Sequence, residues 1–113
     1  MNSIHENDQS RGARAAELVR ELGAEFLNRE ANRTALITVT GASVSEDLRR
    51  ATLLITVLPE EKEHEALDFA KRKRGELREY LKKNMRSKNV PFVDIEIDQG
   101  EKNRQKIDDL LKK

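Results

Sequence analysis

From Arg11 to Ala31 the apolar residues Ala15, Leu18, Val19, Leu22 and Phe26 recur at three- and four-residue steps, with Glu17, Arg20, Glu21, Glu25 and Arg29 opposite them. That spacing predicts an amphipathic helix, broken at Asn32 and Arg33. From Thr34 to Ala42 the chain is rich in β-branched residues and begins to alternate, which predicts a strand ending at Gly41. Ser45, Glu46 and Asp47 then read as a turn before Leu48. Ala51 to Leu58 is apolar at almost every position, the pattern of a central strand covered on at least one face, and Pro59 ends it.

The acidic run that begins at Glu60 predicts a helix start, because carboxylates there meet the positive end of the macrodipole. Ala66, Leu67 and Ala70 open a buried stripe that resumes at Leu77, Tyr80, Leu81 and Met85, and Asn89 and Pro91 end it. Phe92 to Asp98 alternates Val93, Ile95 and Ile97 against Asp94, Glu96 and Asp98, the signature of a half-buried strand. Ile107, Leu110 and Leu111 predict a short closing helix or a docked tail over residues 99–113. The expected organisation is a polar, flexible tail over residues 1–10 and one two-layer α+β domain over residues 11–98, with the helices on one face of a three-stranded sheet.

Composition narrows the choice of partner. Only 36% of the 113 residues are apolar and 4% aromatic, which leaves little surface for a greasy pocket. The apolar run at residues 51–58 is far short of the ~20 residues a membrane span requires, so no membrane partner is expected. The chain has no cysteine, which excludes disulfides, thiolate nucleophiles and zinc ribbons. No cofactor, metal or small-molecule substrate is expected. The polar N-terminus lacks the apolar core of a secretory signal, so the cytoplasm is the expected location.

The net charge of +1 conceals a strong local asymmetry, because residues 71–88 carry nine basic and two acidic side chains while residues 59–70 carry one and five. Lys71, Arg72, Lys73 and Arg74 are consecutive, and Gly75 follows them. A glycine inside a helix costs about 1 kcal/mol against alanine, so Gly75 is expected to mark a kink and to permit close backbone approach. Together with Arg78, Lys82, Lys83, Arg86 and Lys88, these cations repel one another in the free protein, a cost that a polyanion reverses through counterion release. The alternative is a solvated helix face, or one half of an ion-pair set with the acids that precede it.

The α-β-β-α-kink-α-β order, with RGARAAELVRELGAEFL, VSEDLRRATLLITVLPEEKE and GELREYLKKNMRSKNVPFVDIEID, resembles the ribosome-binding factor A family. The spacing of Ser45, Asp47, Leu48 and Ala51 is the most specific part, and the IDDLL at residues 107–111 resembles the family's ending. The resemblance implies a type II KH-like fold. It also implies a non-catalytic, monomeric factor that binds the small (30S) ribosomal subunit and its 16S rRNA, promotes late rRNA maturation and takes part in cold adaptation. KH domains clamp nucleic acid with a GXXG loop. The family has an Ala-X-Gly kink there, matched here by Lys73, Arg74 and Gly75 with lysine replacing alanine. Carried onto this chain, the expected RNA-binding residues are Lys71, Arg72, Lys73, Arg74, Gly75, Arg78, Lys82, Lys83, Arg86 and Lys88, with Arg11, Arg14, Arg49 and Arg50 as secondary candidates. The competing reading is a protein-interaction module whose basic helix docks an acidic partner.

Other features read as structural. His64 and Asp68 stand four apart on a helix without a third ligand nearby, which fits a surface pair better than a metal or acid–base site. Asn32-Arg33-Thr34 fits a glycosylation sequon that has no meaning without secretion. Ser43 and Ser45 read as turn residues, Asp94, Glu96 and Asp98 as solvated strand polarity, and Phe26, Phe69, Phe92 and Tyr80 as core packing.

Overall fold

Strand β2 (Arg50–Leu58) organises the molecule: its inward residues Ala51, Leu53, Ile55 and Val57 are buried, and both of its edges are paired. β1 (Leu36–Val44) runs antiparallel along one edge and β3 (Phe92–Ile97) parallel along the other, giving a mixed sheet in the order β1-β2-β3. The computed structural model describes residues 3–30, 35–86 and 89–112, with side chains from residue 11 onward. A parallel neighbour demands a crossover, made here by a 3₁₀ turn (Glu60–Lys62) and the helices α2 (Glu63–Arg72) and α3 (Arg74–Asn84). Helix α1 (Ser3–Glu30) precedes the sheet and α4 (Gln99–Lys112) follows it. The assigned start of α1 lies ahead of Arg11, where its apolar periodicity begins.

One face of the sheet carries the core. Val19, Leu22, Phe26 and Leu27 of α1, Ala66 and Ala70 of α2, and Leu77 and Leu81 of α3 pack on Ile37, Leu53, Ile55, Val57, Val93 and Ile95. Each large side chain removed from water in this way contributes about 1.5–3 kcal/mol. The close approach of α1 depends on Gly23, where a Cβ would lie 2.6 Å from Leu53 Cδ1.

Several elements depart from the expected reading. β1 runs through Gly41 to Val44, because Thr40 forms a bulge between the pairs Val39–Ile55 and Gly41–Leu54, and the pairing continues beyond it with the register shifted by one residue. The break between α2 and α3 falls at Lys73 (φ −92°, ψ 4°), and Gly75 is an ordinary helical residue of α3 with open space where its Cβ would be. The kink expected at Gly75 therefore sits two residues earlier. At this break the Arg74 Nε donates to the Lys71 carbonyl at 2.9 Å. Met85 is extended, so Arg86 stands beyond the end of α3 rather than on its face. In α4 the residues Ile107, Leu110 and Leu111 are 56%, 69% and 79% exposed, which rules out a docked apolar stripe. Lys102 of α4 instead reaches Glu63 at 3.0 Å and Glu60 at 3.8 Å.

Candidate nucleic-acid interface

Consecutive residues on a helix diverge by about 100°, and the break at Lys73 adds to that divergence, so the four-cation run does not form one patch. Arg72 turns toward β1 and lines a hollow of about 100 Å³ with Ile37, Ala66 and Phe69. Lys73 is held by Glu30 of α1 at 3.5 Å and Glu76 at 3.2 Å, with Glu76 foremost in raising its pKa. Lys71 and Arg74 meet the Asp94 carboxylate on the outer edge of β3, at 3.4 and 3.1 Å. Lys82 pairs with Glu79 at 3.2 Å. The expectation of uncompensated charge is therefore corrected at Lys71, Lys73, Arg74 and Lys82, whose carboxylate partners come partly from elements distant in sequence. Among the described residues, Arg72, Lys83 and Arg86 are exposed and have no ion pair.

Asp94 also seals the sheet edge. Its Oδ1 accepts the Ile95 N–H at 2.8 Å, and this hydrogen bond is the first cause holding the carboxyl below the usual range, followed by the charges of Lys71 and Arg74. A backbone donor that faced outward on an edge strand is thereby occupied.

A second convergence forms around Phe92. The pairing of β2 with β3 sets Arg50 beside Phe92, and the Phe92 N–H donates to the Arg49 carbonyl at 2.9 Å. From α3 the Arg78 guanidinium lies over the ring, 3.8 Å from its centroid, and donates to the Val90 carbonyl at 3.1 Å. Open hollows of about 630, 510 and 360 Å³ meet at the ring, and between them they are edged by Arg49, Arg50, Arg74, Arg78 and Lys82. Gly75 lines the smallest of them. Arg11, Arg14, Lys83 and Arg86 line none of these three hollows, and Lys88 lies outside the described residues.

The ring itself corrects the core assignment, because Phe92 is 64% exposed whereas Phe26 is buried and Phe69 packs partly against the core. The alternation carried the signal: Phe92 shares its parity with Asp94 and Glu96, not with Val93 and Ile95.

The sequence model of the ribosome-binding factor A family matches residues 11–111. The chain belongs to that family. A ribosome-binding factor A of Kocuria rhizophila is 32% identical over 111 residues, covering 93% of this chain and 71% of the relative. One from Geotalea daltonii is 30% identical over 105 residues, covering 90% and 85%. The crystal structure of ribosome-binding factor A from Thermus thermophilus has a TM-score of 0.68 at 20% identity, over 76% of this chain and 94% of that one, a likeness of fold. A further neighbour is a homology model of the Thermus thermophilus factor fitted into a cryo-EM map of a 30S complex, with a TM-score of 0.60, 20% identity and coverage of 70% and 86%.

Within this family member other polar groups that the sequence singled out are engaged with protein partners. His64 Nε2 lies 3.3 Å from Asp68 Oδ2, an exposed helix pair. Ser45 Oγ donates to Asp47 Oδ1 at 2.7 Å and accepts the Arg50 N–H at 3.0 Å, as a turn residue should. Asp98 takes the Thr40 hydroxyl at 2.6 Å and the Glu101 N–H at 3.0 Å. Among the described residues no group of three or more His, Cys, Asp or Glu is placed to hold a metal ion, and no helix is long and apolar enough to cross a membrane. The sequon at residues 32–34 lies outside the described residues.

Proposed function

We propose that the protein binds the small ribosomal subunit through 16S rRNA phosphates and promotes late maturation of that RNA, as a cytoplasmic, monomeric factor without catalysis of its own. The observation that carries this reading is the convergence of Arg49, Arg50, Arg74, Arg78 and Lys82 on open hollows in a chain of this family. The 30S complex into which a structural neighbour is fitted supports the same partner. Phosphate contacts position a protein and carry little sequence information, so recognition rests on the shape of the folded RNA. Binding one rRNA conformation better than another shifts its population, which is how such a factor advances maturation, and a role in cold adaptation follows where misfolded rRNA conformers persist longest. The break at Lys73, followed by Arg74 and Gly75, takes the place of a KH loop in this reading, with Lys71, Arg72, Lys83, Arg86, Lys88, Arg11 and Arg14 as outlying phosphate contacts.

One observation favours the alternative partner, an acidic protein: Asp94, Glu30, Glu76 and Glu79 already fit against the basic run, so carboxylates are accepted there. Pelleting with purified small subunits across a salt series tests the reading. Phosphate binding is expected to weaken steeply with salt, by about 0.7–0.9 in logarithmic slope per contact, and to survive removal of accessory proteins. Binding that ignores salt, or that needs an accessory protein, would overturn it.

A further inference from the structure

Phe92 is an aromatic ring set among cations with most of its surface in solvent. Exposing such a ring forfeits its burial energy, and Phe92 differs from the other exposed apolar residues in standing where three cation-edged hollows meet. One face is backed by Arg78, whose guanidinium is fixed by its bond to the Val90 carbonyl while its Nε is buried without a hydrogen-bond partner. An arginine anchored in this way holds the ring in place by cation–π attraction and leaves the other surface free.

The neighbouring loop is strained toward the same place. Leu48 stands at φ 61°, a left-handed conformation that bulky residues avoid, and it lines the 630 Å³ hollow beside Phe92. Asp47 Oδ1 accepts the Arg49 N–H at 3.1 Å, and the Leu48 N–H donates to the Ser45 carbonyl at 2.9 Å, so the strain is held by local bonds. Backbone strain of this kind persists where the surroundings over-determine it, and it clusters at binding sites. Across the ring, Gly75 leaves its side of the smallest hollow empty, with no atom beyond its chain neighbours and its own helix backbone within 4 Å of where a Cβ would be. Each hollow falls within the range of small-ligand clefts, about 300–1,000 Å³.

We propose that Phe92 is a stacking platform for one unpaired nucleobase of the RNA, with the flanking phosphates taken by Arg49 and Arg50 on one side and Arg74 and Lys82 on the other. This rests on the rRNA-binding reading and adds to it a single-stranded nucleotide as the recognised element. An aromatic face with cations on both sides of it matches a nucleotide chain, in which an apolar base alternates with anionic phosphate. An acidic peptide would leave the ring without a stacking partner.

The test titrates the full chain into a short single-stranded oligouridine carrying one 2-aminopurine, using wild type, Phe92→Leu and Phe92→Trp. In parallel, each protein is pelleted with purified small subunits across a salt series. Wild type and Phe92→Trp are expected to quench the 2-aminopurine. Phe92→Leu is expected to lose about tenfold in affinity, within the roughly 5- to 150-fold that stacking of one base supports. Melting temperatures should stay together because the ring is exposed. The platform is overturned if wild type fails to bind or quench the probe, or if Phe92→Leu matches wild type on probe and subunits alike. Salt-dependent pelleting of wild type and Phe92→Leu with equal affinity removes the platform and leaves the rRNA reading standing, whereas wild type that does not pellet removes the broader reading. An oligoglutamate that displaces the probe and depends on Phe92 would assign the ring to a protein partner and also overturn the proposal.

Discussion

The Asp94 carboxylate receives the Arg74 guanidinium at 3.1 Å, tying the edge of β3 to the first residue of α3, and Lys71 joins the same oxygen from α2. This carboxylate competes with phosphate for both cations. Asp94→Asn keeps an acceptor for the Ile95 N–H but removes the competing charge. Tighter small-subunit binding is expected, with a salt slope steeper by about 0.7–0.9 for each cation released. An unchanged slope in a salt-series pelleting assay would show that Asp94 does not withhold Lys71 and Arg74 from phosphate.

The acid limb of stability should reflect Asp94 and Asp98. Asp98 is held low first by the Thr40 hydroxyl and then by the Glu101 N–H, and Asp94 first by the Ile95 N–H. A carboxyl whose folded pKa is depressed contributes stability that is fully present above its unfolded value, about 3.9, and is lost as pH falls through the folded value. Melting temperatures should hold from neutrality to about pH 4 and then drop, and the drop should be shallower in an Asp94→Asn, Asp98→Asn double variant. Parallel acid limbs for the two proteins would contradict this assignment.

Gly23 predicts a steric effect of the opposite kind to the usual helix rule. Alanine is the better helix former by about 1 kcal/mol, yet its Cβ would stand 2.6 and 2.9 Å from the Leu53 methyls. Leu53 is fully buried, so those methyls cannot swing into solvent. Overpacking of this type costs about 1–3 kcal/mol, and Gly23→Ala is expected to be destabilised by up to about 2 kcal/mol in urea melts. Adding Leu53→Val should recover part of the loss.

That case shows which relationships local patterns carry. The stripe at Val19, Leu22 and Phe26, the unbroken apolar run of β2 and the alternation of Val93 and Ile95 each report a face and a period, and the structure buries those faces. Gly23 against Leu53, the Thr40 bulge reaching Asp98, and Asp94 clamping Lys71 and Arg74 are pairings across distant parts of the chain. Periodicity holds no information about them. The cation run was legible as charge, but its division among β1, α1 and β3 depends on the break at Lys73, which no residue type announces.

That division separates stability from binding. Lys73, held between Glu30 and Glu76 and lying 5.9 Å from the Phe69 ring, is expected to act mainly on the fold. Lys73→Ala should lower the melting temperature slightly and leave the salt slope of subunit binding intact. Arg49→Ala with Arg50→Ala should do the reverse, lowering the slope by about 1.4–1.8 with no change in melting temperature. Equal slopes for the two variants would count against the Phe92 surface as the RNA contact.

Gly75 gives the sharpest separation because the fold does not need it. It is helical, its φ is negative, and no atom outside its own helix turn would touch its Cβ, so Gly75→Ala should raise stability by up to about 1 kcal/mol through helix propensity. The space it leaves is the hollow shared by Arg74, Arg78 and Phe92. Gly75→Leu would fill that hollow from the helix side, so it should weaken small-subunit binding while melting no lower than wild type. Thermal melts and pelleting on the same preparations decide the matter. If Gly75→Leu bound subunits as wild type does, the hollow would be unused, and if it melted well below wild type, the glycine would serve the fold after all.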